Sequence, residues 1–96
     1  MVIGVLQFRI AVDGSTSLKD KRRVVKSLKD RLHREHQVSV AEVDRLDDHR
    51  LGVLGLTLTS NDVAHAQSVL DRILDKLQTS PGFVLEDHRK EILSGQ

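Results

Sequence analysis

No cysteine, tryptophan or tyrosine occurs among the 96 residues, and there are only two phenylalanines and one proline. The missing cysteines exclude disulfides, thiolate metal sites and cysteine nucleophiles together. The shortage of aromatics excludes the stacking platforms on which sheet-surface RNA readers hold bases. No apolar run reaches the ~18 residues that span a bilayer, and Met1 leads into a strand pattern without a basic leader segment. A cytoplasmic location without a membrane partner is the expectation. Neither sign of charge is short overall, with 15 Lys and Arg against 14 Asp and Glu and a net charge of +1. Their distribution is uneven. Residues 17–34 hold eight of the fifteen basic residues and two acidic ones, so this segment carries +6 (eight minus two) and the remainder −5 (one minus six).

Residues 1–96 read as one domain, because a chain of this length buries roughly 60–65% of its unfolded surface around a single core. Residues 2–12 alternate as a strand, with Leu6, Phe8, Ile10 and Val12 on one face and Ile3, Val5, Gln7, Arg9 and Ala11 on the other. Asp13-Gly14 is a turn signal. Ser17 is placed to cap a helix, and Asp20 completes a capping-box pattern. On a helical wheel with Leu18 at 0°, Val24, Val25, Leu28 and Leu32 fall between about 240° and 340°, one apolar stripe that fades near His36. Residues 38–43 read as a second strand, 44–49 as a polar hairpin loop and 51–59 as a third strand. Ser60-Asn61-Asp62 opens a second helix with Val63, Ala66, Leu70, Ile73, Leu74 and Leu77 on its inner stripe. Thr79-Ser80-Pro81-Gly82 stops that helix, 83–88 is a short fourth strand, and the tail from Arg89 is polar, with Ile92-Leu93 packing locally.

The order βαββαβ is the split βαβ, ferredoxin-like α+β pattern: a four-stranded antiparallel sheet with both helices on one face and the first and third strands central. Its other face would expose Ile3, Val5, Leu51 and Val53, an apolar set that predicts a homodimer through that face.

Four stretches carry a family resemblance: Met1-Val2-Ile3-Gly4-Val5-Leu6, Ser17-Leu18-Lys19-Asp20-Lys21-Arg22-Arg23-Val24, Val38-Ser39-Val40-Ala41-Glu42-Val43-Asp44 and Ser60-Asn61-Asp62. Over nearly the whole chain they resemble the YlxP-like family of small uncharacterised bacterial proteins. The resemblance implies a ferredoxin-like sandwich. It also implies a link to RNA or the ribosome, since family members are often encoded beside translation and ribosome-maturation factors. It brings no catalytic residues.

The basic helix is the main functional candidate. Lys19, Arg22, Arg23, Lys26, Lys29 and Arg34 share an arc of about 140° beside the buried stripe, spread over some five turns. Such a row suits the phosphates of structured RNA, each neutralised phosphate releasing condensed counterions. The competing reading is a solvated face that keeps the domain soluble. Binding would follow shape and phosphate spacing, not base identity. Other chemistry is thin. His33 and His36 share helical spacing but lack a third metal ligand, and complementing the helix dipole suits them better. Asp44, Asp47, Asp48 and His49 read as a hydrophilic hairpin tip. Gly14-Ser15-Thr16-Ser17 precedes a helix N-terminus but lacks the spaced glycines of a phosphate loop. No cofactor, metal site or enzymatic activity is expected. The function read from the sequence is a non-catalytic domain that engages structured RNA or ribosomal particles through its first helix. The alternative is a homo-oligomeric regulatory or interaction module that binds a small ligand or partner at its subunit interface.

Overall fold

The strand alternation at the start of the chain sets the architecture. In the computed structural model, which describes residues 1–95, β1 (Val2–Val12) buries Val2, Leu6, Phe8, Ile10 and Val12 on one face. The chain continues through α1 (Leu18–His36), β2 (Ser39–Asp44), β3 (Leu51–Ser60), α2 (Val63–Thr79) and β4 (Phe83–Ser94). The sheet order is β2-β3-β1-β4 with every neighbouring pair antiparallel, so β3 and β1 are central as their apolar content requires. Both helices cover one face, α1 over β2 and β3, α2 over β1, β4 and β3. Leu6, Phe8, Val25, Leu28, Leu56, Leu70, Ile73 and Leu74 belong to one core cluster. At Gly4 an added Cβ would lie 3.1 Å from the Leu58 side chain and 3.3 Å from Leu70, so α2 seats against the sheet where β1 has no side chain.

Helix ends follow local chemistry. The Ser17 hydroxyl accepts the Asp20 N–H at 3.1 Å. The Asp20 carboxylate turns outward and accepts from the Thr16 N–H and hydroxyl, both at 3.2 Å, so the return half of the capping box lands one residue early. Gln37 closes α1 in the left-handed conformation (φ 56°), its N–H donating to the His33 carbonyl. Asp62 caps α2 by accepting from the His65 N–H.

Four features depart from the sequence expectation. β4 does not stop at His88 but runs to Ser94, pairing along all of β1 from Val12↔Phe83 to Val2↔Ser94. A bulge between Arg9 and Ile10 realigns it, and Ile92 packs on the main core instead of locally. On α2, Val63, the first helical residue after the Asp62 cap, is exposed, and Val69 joins the core instead. On the open sheet face, Val53 is 9% exposed and Ile3, Val5 and Leu51 are half-buried, so that set is not a bare apolar patch. Arg9 and Asp44 flank Val53 across the two ladders and shield it. Finally, Lys21 of the basic segment is fully buried.

The core makes a direct prediction. Leu28→Ala and Leu70→Ala should each lower stability by about 2–5 kcal/mol, since both side chains are sealed between helix and sheet. Urea denaturation measures this, and a near-neutral effect at both positions would contradict the packing.

Candidate nucleic-acid interface

α1 turns one face to the sheet and projects the other into solvent. Lys19, Arg22, Arg23, Lys26 and Arg34 are exposed and Lys29 is half-buried. Lys26 pairs with Asp30 at 3.0 Å, one turn on. Among the described residues, Lys19, Arg22, Arg23, Lys29 and Arg34 form no ion pair. The row is therefore an open line of cations interrupted only by a carboxylate that already has a partner.

Two of the eight cations in residues 17–34 make contacts within the fold. Lys21 lies at about 300° on the wheel, inside the apolar stripe, and its Nζ meets a cage of oxygens. Nζ donates to Glu42 Oε2 at 2.8 Å, the Arg45 carbonyl at 2.8 Å and the Leu51 carbonyl at 3.2 Å, with the Leu46 carbonyl at 3.5 Å. An ammonium has three protons and no acceptor lone pair, so this cage satisfies it completely. Ser15, also buried, adds a second tether by donating to the His49 carbonyl. Together they fasten the β2–β3 hairpin to the start of α1. They hold Arg45 in the left-handed region (φ 59°), where only the grip on its carbonyl and the turn around it offset the steric cost of a side chain. The sequence signal for Lys21 was its place on the wheel. Arg31, at about 220°, stands at the edge of the stripe and donates from Nη2 to Ser80 Oγ at 3.1 Å.

His33 and the hairpin carboxylates of Asp44 and Asp48 are occupied in the same structural way. Among the described residues no cluster of His, Asp or Glu could hold a metal. Asp48 Oδ1 accepts from the Arg50 and Leu51 N–H groups, which hold its carboxyl below the usual range, and Asp44 accepts from the Arg45 N–H. His33 Nδ1 lies 2.9 Å from the Val38 carbonyl. Burial first, and then nearby Lys76, lower the pKa of His36, which disfavours its charged form at the helix end. Glu35 pairs with Lys76 of α2, and that contact lowers its pKa.

These shifts fix a sign. A histidine with a folded pKa below its unfolded value of 6.5 stabilises fully above that pH. As pH falls through it, the unfolded chain takes the proton first and stability is lost. Asp20, Glu35 and Asp48 act in the same direction only in acid, below their ordinary values of 3.8, 4.5 and 3.8. The melting temperature should therefore fall between about pH 7.5 and 5.5, and His36→Leu should flatten that part of the profile. An equal fall in the variant would assign the loss to another group.

A polar concavity lies on the open sheet face. Its volume is about 450 Å³, and Gln7, Arg9, Asp44, Arg45, Val53, Asp87, His88 and Arg89 contribute to its lining. Arg9 is bound to Glu86 at 3.1 Å, while Arg45 leans toward Asp48 at 3.7 Å. Cations and carboxylates alternate there around a shielded valine.

A family model described as "Protein of unknown function (DUF503)" matches residues 3–90. No curated protein matches the chain. Among solved structures, the de novo designed protein LFR1 1 with ferredoxin fold superposes with a TM-score of 0.52 at 17% identity, covering 99% of this chain and 88% of that one. The de novo designed protein Foldit4 gives a TM-score of 0.51 at 16% identity, covering 98% and 99%. These likenesses establish the ferredoxin-like fold and nothing about activity. Among the described residues, no helix is long and apolar enough to cross a membrane.

Proposed function

The chain belongs to the DUF503 family of proteins of unknown function, and we propose that it is a non-catalytic domain engaging structured RNA or a ribosomal particle through the outer face of α1. The observation that carries this reading is the open row of Lys19, Arg22, Arg23, Lys26, Lys29 and Arg34, five of them without a salt-bridge partner among the described residues. A rigid helix presents them at fixed spacing, so phosphates are met without ordering cost in the backbone. The resemblance to the YlxP-like bacterial family, with its translation-linked gene neighbourhoods, supports the same partner. Crosslinking in cells followed by identification of the bound RNA tests the reading. Enrichment of ribosomal RNA is the expected result, and recovery of no RNA above background would count against it.

A second reading draws on the open-face concavity. Its alternating Arg9, Asp44, Arg45, Asp87 and Arg89 form a set that a two-fold axis could pair with itself, as a homodimeric interaction module requires. Under this reading Val5→Asp places an unpaired charge in the contact and converts a dimer to a monomer. Sedimentation equilibrium decides it, since a monomer at high concentration for the parent protein would remove the dimer.

A further inference from the structure

We propose that the cleft between α1 and the turn after α2 is a phosphate-binding notch built by Arg23, Ser27 and Arg31, in which one backbone phosphate of a bound RNA sits. The inference rests on the RNA reading above and gives it a specific contact. Two concavities meet along α1. One, of about 380 Å³, is lined by Arg23, Lys26, Ser27, Asp30, Arg31 and Arg34. The other, of about 260 Å³, runs from the same Arg23, Ser27 and Arg31 to Pro81, Gly82 and Phe83. The three shared residues are spaced four apart, so they line one side of the helix.

Arg31 lines this cleft with its own bonding incomplete. Its Nη2 is anchored on Ser80 Oγ, which itself donates to the Lys76 carbonyl at 2.7 Å. Its Nε–H is buried and has no acceptor among the described residues. A shielded donor left unpaired in a folded protein calls for an explanation. Here it belongs to a guanidinium beside Arg23 and Arg34, and the carboxylates at hand, Asp30 and Glu35, are held by Lys26 and Lys76. Swinging from Ser80 toward the cleft would let the Nε–H and one terminal N–H of Arg31 bond two oxygens of a phosphate, the bidentate geometry that guanidinium groups favour. Arg23 supplies a second charge and Ser27 a hydroxyl donor. Val24, Leu28 and Phe83 form an apolar wall on the other side, which limits screening of the pair. The six-cation row omitted Arg31 because its wheel position lies between the basic arc and the buried stripe.

The test uses the full chain and an RNA hairpin, with fluorescence anisotropy across a salt series. R31A should weaken binding about tenfold and make the log affinity against log salt slope shallower by about 0.7–0.9, the contribution of one phosphate. R31K keeps the charge but not the fork, so it should retain the parental slope with reduced affinity. S80A removes the same internal bond and should leave the slope unchanged. If R31A and R31K both bind with parental affinity and slope, Arg31 is only an anchor for the end of α2 and the notch is overturned while the RNA reading stands. If the parent fails to bind at low salt, both fall.

Discussion

Replacing Lys21 by methionine should cost about 3–5 kcal/mol, a large part of a small domain's ~5–15 kcal/mol, although the new side chain is apolar and of similar length. The loss comes from what stays behind. Glu42 remains as a carboxylate only 13% exposed, and the carbonyls of Arg45 and Leu51 lose their donor in a space that Lys21 now fills. Removing one partner of a buried pair strands the other, whereas removing both does not. Lys21→Met combined with Glu42→Leu should therefore be more stable than Lys21→Met alone. Chemical denaturation at neutral pH measures both. The hairpin should also loosen, since Lys21 holds the left-handed Arg45, and hydrogen exchange at residues 45–51 should rise in the single variant. A single variant as stable as the parent would mean that water can replace the ammonium in this cage.

Reversing Arg22, Lys26 and Lys29 to glutamate should reduce RNA affinity by about two orders of magnitude or more while the fold survives. Arg22 and Lys26 are exposed and Lys29 half-buried, and none lies in the Val25–Leu28–Leu32 stripe, so the core is untouched. The net change is six charge units in the centre of the row, which turns attraction into repulsion along the middle of the helix. The loss should be nearly uniform over RNA sequences, because phosphate contacts position a protein without reading bases. Circular dichroism provides the folding control. A folded triple variant with parental affinity would move the binding surface elsewhere, and the open-face concavity around Arg9, Arg45 and Arg89 would become the first place to look.

The element order and the core were legible because both rest on local periodicity. Alternation in residues 2–12 and 51–59 and the 3.6-residue stripe of each helix are read from neighbours in sequence, as are the Ser17 cap and the start of α2 after Ser60-Asn61-Asp62. What was missed depends on distant partners. Residues 89–94 are a strand because β1 is long enough to pair with them, although their composition is that of a polar tail. Val53 is hidden by Arg9 and Asp44, which reach it from two different strands. For Lys21 the wheel shows the inward direction but not the hairpin oxygens that surround it. Arg31 is similar, half in the fold through Ser80 and half in the cleft. Charge counting thus located the candidate helix, but burial decided which of its cations remain free to meet a partner.

The account stands most directly on the salt dependence of RNA binding by the unmodified protein. Titrating it against folded ribosomal RNA fragments at several salt concentrations should give a log affinity that falls linearly with log salt, with a slope of roughly −3 to −5, as four to six neutralised phosphates require. A slope near zero, or no binding even at low salt, would contradict the assignment of the α1 row as a phosphate-binding surface.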